Sequence, residues 1–259
     1  MASDMLLGAN DPSPVQVINP GGTSHFLLLG DHAGNLVPDS LNALGLPPEE
    51  LARHIGWDIG IGELGPMLAE ALDAVFIRQT YSRLVIDCNR DPARADAMPE
   101  ISDLTVIRGN HDLDAAKRMA RVAAIQAPYQ EAIRAEIARR DAAGQGTIIV
   151  SLHSFTPAMQ GIARPWHVGV LHDGGDPAFA RTLIAAFEAV PELTVGDNEP
   201  YSMDTIDYTV PLHAYPKRRP YAEIEVRQDL IGTTTGCAEW SARLAAALQV
   251  AAANFGGGG

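Results

Sequence analysis

Two histidines, a pair of glutamates on one segment and an acid ahead of a helix are the residues whose types and spacing could do chemistry. His32 lies in Asp31-His32-Ala33-Gly34-Asn35, directly behind the apolar run FLLLG, and His153 lies in His153-Ser154-Phe155, directly behind TIIVSL. In an open α/β sheet, ligands bind beyond the carboxyl ends of the strands. Both imidazoles are therefore aimed at the same edge, although about 120 residues separate them. Two neutral imidazoles meeting there suit a divalent metal, zinc above all. Each alone is equally at home as a hydrogen-bonded structural residue.

The segment YAEIEVRQ places Glu223, Glu225 and Arg227 on one strand face and Ala222, Ile224 and Val226 on the other. On an edge strand this is a solvated stripe. Inside a sheet, two carboxylates have to be paired, metal-bound or catalytic, because an unpaired buried charge is too costly. Asp58, in His54-Ile55-Gly56-Trp57-Asp58, precedes a helix. It is placed either to cap that helix or to supply the acidic ligand that two histidines lack, with His54 as a competing ligand. His111, His167, His172 and His213 read as surface or core, and His213, in TVPLHAYPKRRP, is the one placed to reach a pocket. Gly60-Ile61-Gly62-Glu63-Leu64-Gly65 satisfies GxGxxG, but LARHIGWD before it is no apolar strand, which weighs against dinucleotide binding.

These residues need elements to hold them. Short apolar runs alternate with longer amphipathic stretches, the pattern of an α/β chain with a largely parallel sheet. Strands are expected at Phe26 to Leu29, Ala74 to Gln79, Leu84 to Asp87, Thr147 to Leu152, His167 to Leu171 and Tyr221 to Arg227. Helices are expected at Ile61 to Leu72, Ala115 to Arg140 with a bend near Pro128, Pro177 to Ala189, and Thr234 to Ala253, where Trp240, Leu244 and Leu248 form one buried stripe. Arg90 to Asn110 and Gly196 to Pro220 resist assignment, and loops this long are usually functional. No linker or repeat divides the chain, so residues 1–255 read as a single catalytic domain and 256–259 as a disordered glycine tail.

Composition narrows the field. The 259 residues are 46% apolar and 20% charged, enough for a proper core. Nineteen basic against thirty-two acidic side chains leave a net charge of −13, which argues against nucleic acid and anionic membranes as partners. Cys88 and Cys237 form neither a disulfide framework nor a metal knuckle, as in a reducing compartment, so the expected location is the cytoplasm. MASDMLLGANDPSPVQVINPGG has no export signature, and no window approaches the roughly 18 apolar residues of a spanning helix. Nothing in the pattern sets an oligomeric state.

Taken in order along the chain, Asp31-His32-Ala33-Gly34-Asn35 with Val37-Pro38, Trp57-Asp58, Ser82-Arg83-Leu84-Val85-Ile86-Asp87-Cys88-Asn89-Arg90-Asp91-Pro92, Ser151-Leu152-His153-Ser154-Phe155 and Glu223 to Ile231 resemble the N-formylglutamate amidohydrolase family. The resemblance implies a three-layer α/β/α fold with a mixed, largely parallel sheet, akin to zinc exopeptidases. It further implies one zinc ion held by His32, His153 and a carboxylate, with Glu225 as the general base. Relatives in the wider carboxypeptidase-like group carry a glutamate where this chain has Asn35, and an amide is a poor zinc ligand, so the third ligand is expected at Asp58. Asn89-Arg90 resembles the pair with which those relatives grip a substrate carboxylate. Arg83, Arg90, Arg164 and Arg227 are the cations available for a small anionic N-acyl amino acid such as N-formyl-L-glutamate. Formate and glutamate would be its products, as in histidine breakdown. Rival expectations are another N-acyl amino acid or small peptide amide, a dinucleotide-dependent oxidoreductase, and a binding protein that has lost catalysis.

Overall fold

The computed structural model describes residues 6–203 and 207–256. Seven strands form one sheet: β1 (Val15–Ile18), β2 (Phe26–Gly30), β3 (Val75–Gln79), β4 (Ile148–Phe155), β5 (Val168–Leu171), β6 (Val195–Asp197) and β7 (Tyr221–Arg227). Their spatial order is β1-β3-β2-β4-β7-β5-β6. The inner strands β3, β2, β4 and β7 run parallel. Next to them β1 and β5 pair antiparallel, and β6 runs parallel to β5.

The strand period of two sorts side chains into two cores. Phe26, Leu28, Phe76, Val150, Leu152, Val168, Ala222 and Ile224 face one layer of helices, α1 (Ile61–Leu72), α3 (Ala178–Glu188) and α5 (Thr234–Gly256). Leu27, Leu29, Val75, Ile77, Ile149 and Tyr221 face the other, where α2 (Ala127–Ala142) and α4 (Thr209–Ala214) supply Tyr129, Ile133, Ile137, Val210 and Ala214. The chain is a three-layer α/β/α fold with a mixed, largely parallel sheet. No helix among the described residues is long and apolar enough to cross a membrane.

Several expectations change. Leu84 to Asp87 is no strand: Val85 N–H closes a turn onto Ser82 O at 2.9 Å, and Leu84, Val85 and Ile86 are buried in the second core. An apolar quartet looks the same in a buried turn as in a strand. The bend near Pro128 takes the form of a π-helical turn, Val122–Gln126, in which Ala127 N–H reaches Val122 O. The two unassigned segments contain a small hairpin (Ile101–Ser102 with Thr105–Val106), β6 and α4. The glycine tail was expected from Gly256, but that residue ends α5, and 257–259 lie outside the described residues.

The GxGxxG match follows turns instead of a strand. Gly65 serves packing: a Cβ there would stand 2.2 Å from the Phe76 ring. The next residue, Pro66, cannot donate to Gly62 O one turn before it, and Arg78 donates to that carbonyl instead, at 2.8 Å.

Candidate active site

The second face of the sheet changes character along its strands. At the amino ends it carries Leu27, Ile149 and Tyr221; at the carboxyl ends it carries Ser151, His153, Glu223 and Glu225, with Asp31 and His32 just beyond β2. Strand register sets Glu225 beside His153 and Glu223 beside Ser151. Because β7 lies inside the sheet, both glutamates are buried, which removes the solvated-stripe reading.

His32 is held where the chain leaves β2 and closes tightly on its neighbour. A Cβ on Gly34 would lie 2.1 Å from Thr80 O, so only glycine lets these backbones meet. His32 O accepts a hydrogen bond from Asp58 N–H at 2.9 Å, which fixes the acid beside the imidazole. Asp58 does not cap α1, whose N-cap is Gly60 without a side-chain bond. Its carboxylate turns inward, with Oδ2 2.8 Å from His153 Nδ1 and 3.4 Å from His32 Nδ1.

Donor atoms of His32, Asp58 and His153 all lie within 4.8 Å of one another, so this group could hold a metal ion. Its chemistry fits zinc: two imidazoles and a carboxylate, with His32 Nδ1 buried and without a hydrogen-bond partner among the described residues. The far ring nitrogens are held from outside. His32 Nε2 donates to Asp87 Oδ1 at 2.7 Å, while His153 Nε2 lies 3.0 Å from Ser151 Oγ and 3.6 Å from Asp31 Oδ2. Such outer carboxylates orient a ligand imidazole and raise its basicity. Asp31 and Asp87 are members of the candidate site that spacing did not single out. The only signal was an acid directly before His32 and another two residues before Asn89.

The electrostatics describe a cage for positive charge. Burial opposes ionisation of Asp58, yet the His32 charge and the His153 hydrogen bond hold its carboxyl far below the usual range. Burial and Arg83 disfavour the charged His32 ring, but Asp87 and Asp58 outweigh them and raise its pKa. For His153, burial works downward and is overcome by Glu223, Asp31 and Asp58, which lift it well above the ordinary value. Glu225 is pushed up to about 8, chiefly by burial and against the pull of His153. Burial, then the charge of Asp207, pushes Glu223 well above the usual carboxylate range.

A cavity of about 200 Å³ opens on this group and is lined by His32, Asp58, Arg83, Asn89, Arg90, His153, Glu223 and Glu225, together with Tyr201 and Asp207. Arg83 bridges Asp87 at 2.8 Å and Asp58 at 3.3 Å. Arg90 donates to Asn89 O at 2.9 Å and stands 3.7 Å from Asp96. Asn89 spends its amide on the fold: Oδ1 accepts from Tyr208 and Thr209 N–H, and Nδ2 donates to Asp207.

Other expected site residues lie elsewhere. Arg227 pairs with Asp229 at 2.8 Å, reaches the carbonyls of Pro165 and Trp166, and does not line the cavity. His213 is buried against Gln130 Oε1 at 2.7 Å, under the cavity instead of on its wall. Asn35 lines a separate surface hollow with Trp57 and Arg78. His54 reaches the cavity wall but sits 3.5 Å from Asp103, outside the His32, Asp58 and His153 group. Arg164 stacks 4.8 Å over the Tyr201 ring at the rim.

The family model described as N-formylglutamate amidohydrolase matches residues 24–232. A gene product of Agrobacterium tumefaciens, known from its crystal structure, superposes with a TM-score of 0.93 at 35% identity, covering 96% of this chain and 99% of the other. An N-formylglutamate amidohydrolase from Ralstonia eutropha JMP134 superposes with a TM-score of 0.69 at 20% identity, covering 95% of this chain and 100% of its own, and so shares the fold. No curated protein matches the chain.

Proposed function

Because the chain belongs to the N-formylglutamate amidohydrolase family and is thereby a hydrolase of amides, we propose that His32, Asp58 and His153 hold zinc and that the substrate is N-formyl-L-glutamate. The observation that carries this reading is the meeting of two imidazole Nδ1 atoms on one Asp58 oxygen, beside the buried Glu225. When bound, zinc would supply Lewis acidity, easing deprotonation of water and attack on an amide carbonyl.

The chain's own groups do the rest. Glu225 accepts a proton from water and passes it to the departing amide nitrogen; its Oε2 is buried without a partner among the described residues and so is available for that transfer. Arg83 faces the cavity from its two ion pairs and adds positive potential where charge grows on the acyl oxygen. Arg90, on the same wall, takes a substrate carboxylate through its planar guanidinium. The products are formate and glutamate. A cytoplasmic setting is supported by Cys88 and Cys237, which are buried and unpaired.

A second reading is favoured by one feature. A cavity of about 420 Å³ adjoins the first and shares His54, Arg83, Arg90 and Tyr201 with it, which leaves room for a longer N-acyl group or a small peptide amide.

Metal analysis of protein purified without chelators, with formate release measured over a panel of N-acyl amino acids, tests both readings. The expected result is about one equivalent of zinc and fastest turnover of the formyl compound. Protein that binds no zinc, or that hydrolyses none of the panel, overturns the proposal.

A further inference from the structure

Hydrolysis of an amide turns a neutral N–H into a cation. Water adds its oxygen to the acyl carbon, the C–N bond breaks, and both protons of that water end on nitrogen, so that an N-formyl amino acid becomes formate and an amino acid ammonium. The nitrogen receives its proton from Glu225, which sets it at that carboxyl. An ammonium formed in so enclosed a site needs a buried acceptor, because a charge removed from water is costly unless it is paired.

One acceptor stands ready. Glu223 lies two residues before Glu225 on the same strand face, roughly 7 Å along β7, and lines the same cavity. It is 2% exposed, and its Oε2 has no hydrogen-bond partner among the described residues. A buried polar atom without a partner calls for an explanation. Asp207 lines the cavity too and is anchored by Asn89 Nδ2 at 2.9 Å, with Arg90 at 4.0 Å. Asp58, by contrast, is engaged with the histidines and Arg83.

We propose that Glu223, with Asp207 beside it, is the seat of the ammonium group of the released amino acid. This inference rests on the reading of the site as an N-acyl amino acid hydrolase. It assigns the orphaned carboxylate to product binding, distinct from the proton transfer at Glu225 and from carboxylate binding at Arg90.

Calorimetric titration of the zinc-loaded protein with L-glutamate and with glutarate, which has the same two carboxylates but no ammonium, tests it. Wild-type protein should bind glutamate at least about tenfold more tightly, as one charged hydrogen bond is worth about 1.5–3 kcal/mol. Glu223→Gln should abolish that preference while leaving glutarate affinity near the wild-type value, which also shows that the variant is folded. Asp207→Asn should reduce the preference. Equal affinity for the two compounds in the wild type, or a preference undiminished in Glu223→Gln, overturns the proposal. Formate release from N-formyl amino acids in the same preparation separates the two levels: turnover without an ammonium preference removes only the product seat, whereas absence of turnover on every one removes the hydrolase reading itself.

Discussion

Glu225 stands beside His153 and Asp87 binds the far nitrogen of His32, so substitutions at the two should fail differently. Glu225 faces the cavity next to His153 and has no part in the His32, Asp58 and His153 group. Glu225→Gln should therefore keep its zinc and lose turnover by about 10²–10⁴-fold, the usual contribution of a general acid–base group; metal content and kcat measured on one sample check it. Asp87 does not line the cavity that opens on the histidines. It orients His32 through Nε2 and anchors Arg83. Asp87→Asn should weaken zinc binding by about 10–100-fold, as outer partners of metal ligands do, and competition against a chelator of known affinity reads this directly. Unchanged affinity would show that His32 needs no outer carboxylate.

At the scale of elements, the site depends on how α1 and the turn behind β2 crowd the sheet. Gly65 lets α1 lie on Phe76. Gly65→Ala should destabilise the fold by about 1–3 kcal/mol, the range for overfilling a packed core, measured as a lower denaturation midpoint. The π-turn and α2 reach the site through polar side chains: Gln126, the last residue of the turn, donates to Arg90 O at 2.8 Å and Gln130, in α2, to Cys88 O at 2.9 Å, which pins the loop carrying Asp87, Asn89 and Arg90. The π-turn just before α2 lies in that same stretch, and π-turns occur often at functional sites. Legibility at this scale followed apolar content. The runs that became β2, β3, β4 and β5 are mostly apolar and buried and were visible, and β7 was visible from its alternation. β1 is half-exposed and β6 has three residues, too little pattern to recognise. α4 depends on Asn89, more than a hundred residues away, whose Oδ1 receives its first amides, so no local signal marked it.

For the whole molecule, pH should act on stability through the layer beneath the cavity. His213 is buried against Gln130, and burial, helped by Arg134, lowers its pKa to about 4. The ordinary value is 6.5, so between these two pH values the unfolded chain takes up a proton that the folded chain refuses. His213 thus contributes stability in full above about pH 6.5 that is lost progressively as the pH falls toward 4, on the order of 3 kcal/mol at the limit. His213→Gln, which can still donate to Gln130, should lose less stability than wild type over that window in urea titrations. His32 and His153 titrate in the opposite sense but do so in both proteins, and so cancel from the difference. A parallel decline in the two would mean that His213 does not stay neutral in the folded protein.

By itself the sequence determined the layered α/β plan, the strands that carry His153 and Glu225 or end just before His32, and the presence of an acid at position 58, because these follow from apolar periodicity and from residues adjacent to strand ends. Tertiary structure alone decided that Asp58 turns toward the histidines instead of capping α1, that Asp31 and Asp87 stand behind the rings, that β7 is interior so its glutamates are buried, and that Arg227 and His213 point elsewhere. Each of these turns on a partner distant along the chain. Hydrophobic pattern reports which residues leave water, whereas the direction a polar side chain takes is set by whichever hydrogen-bonding or charged group the fold brings within about 3 Å of it.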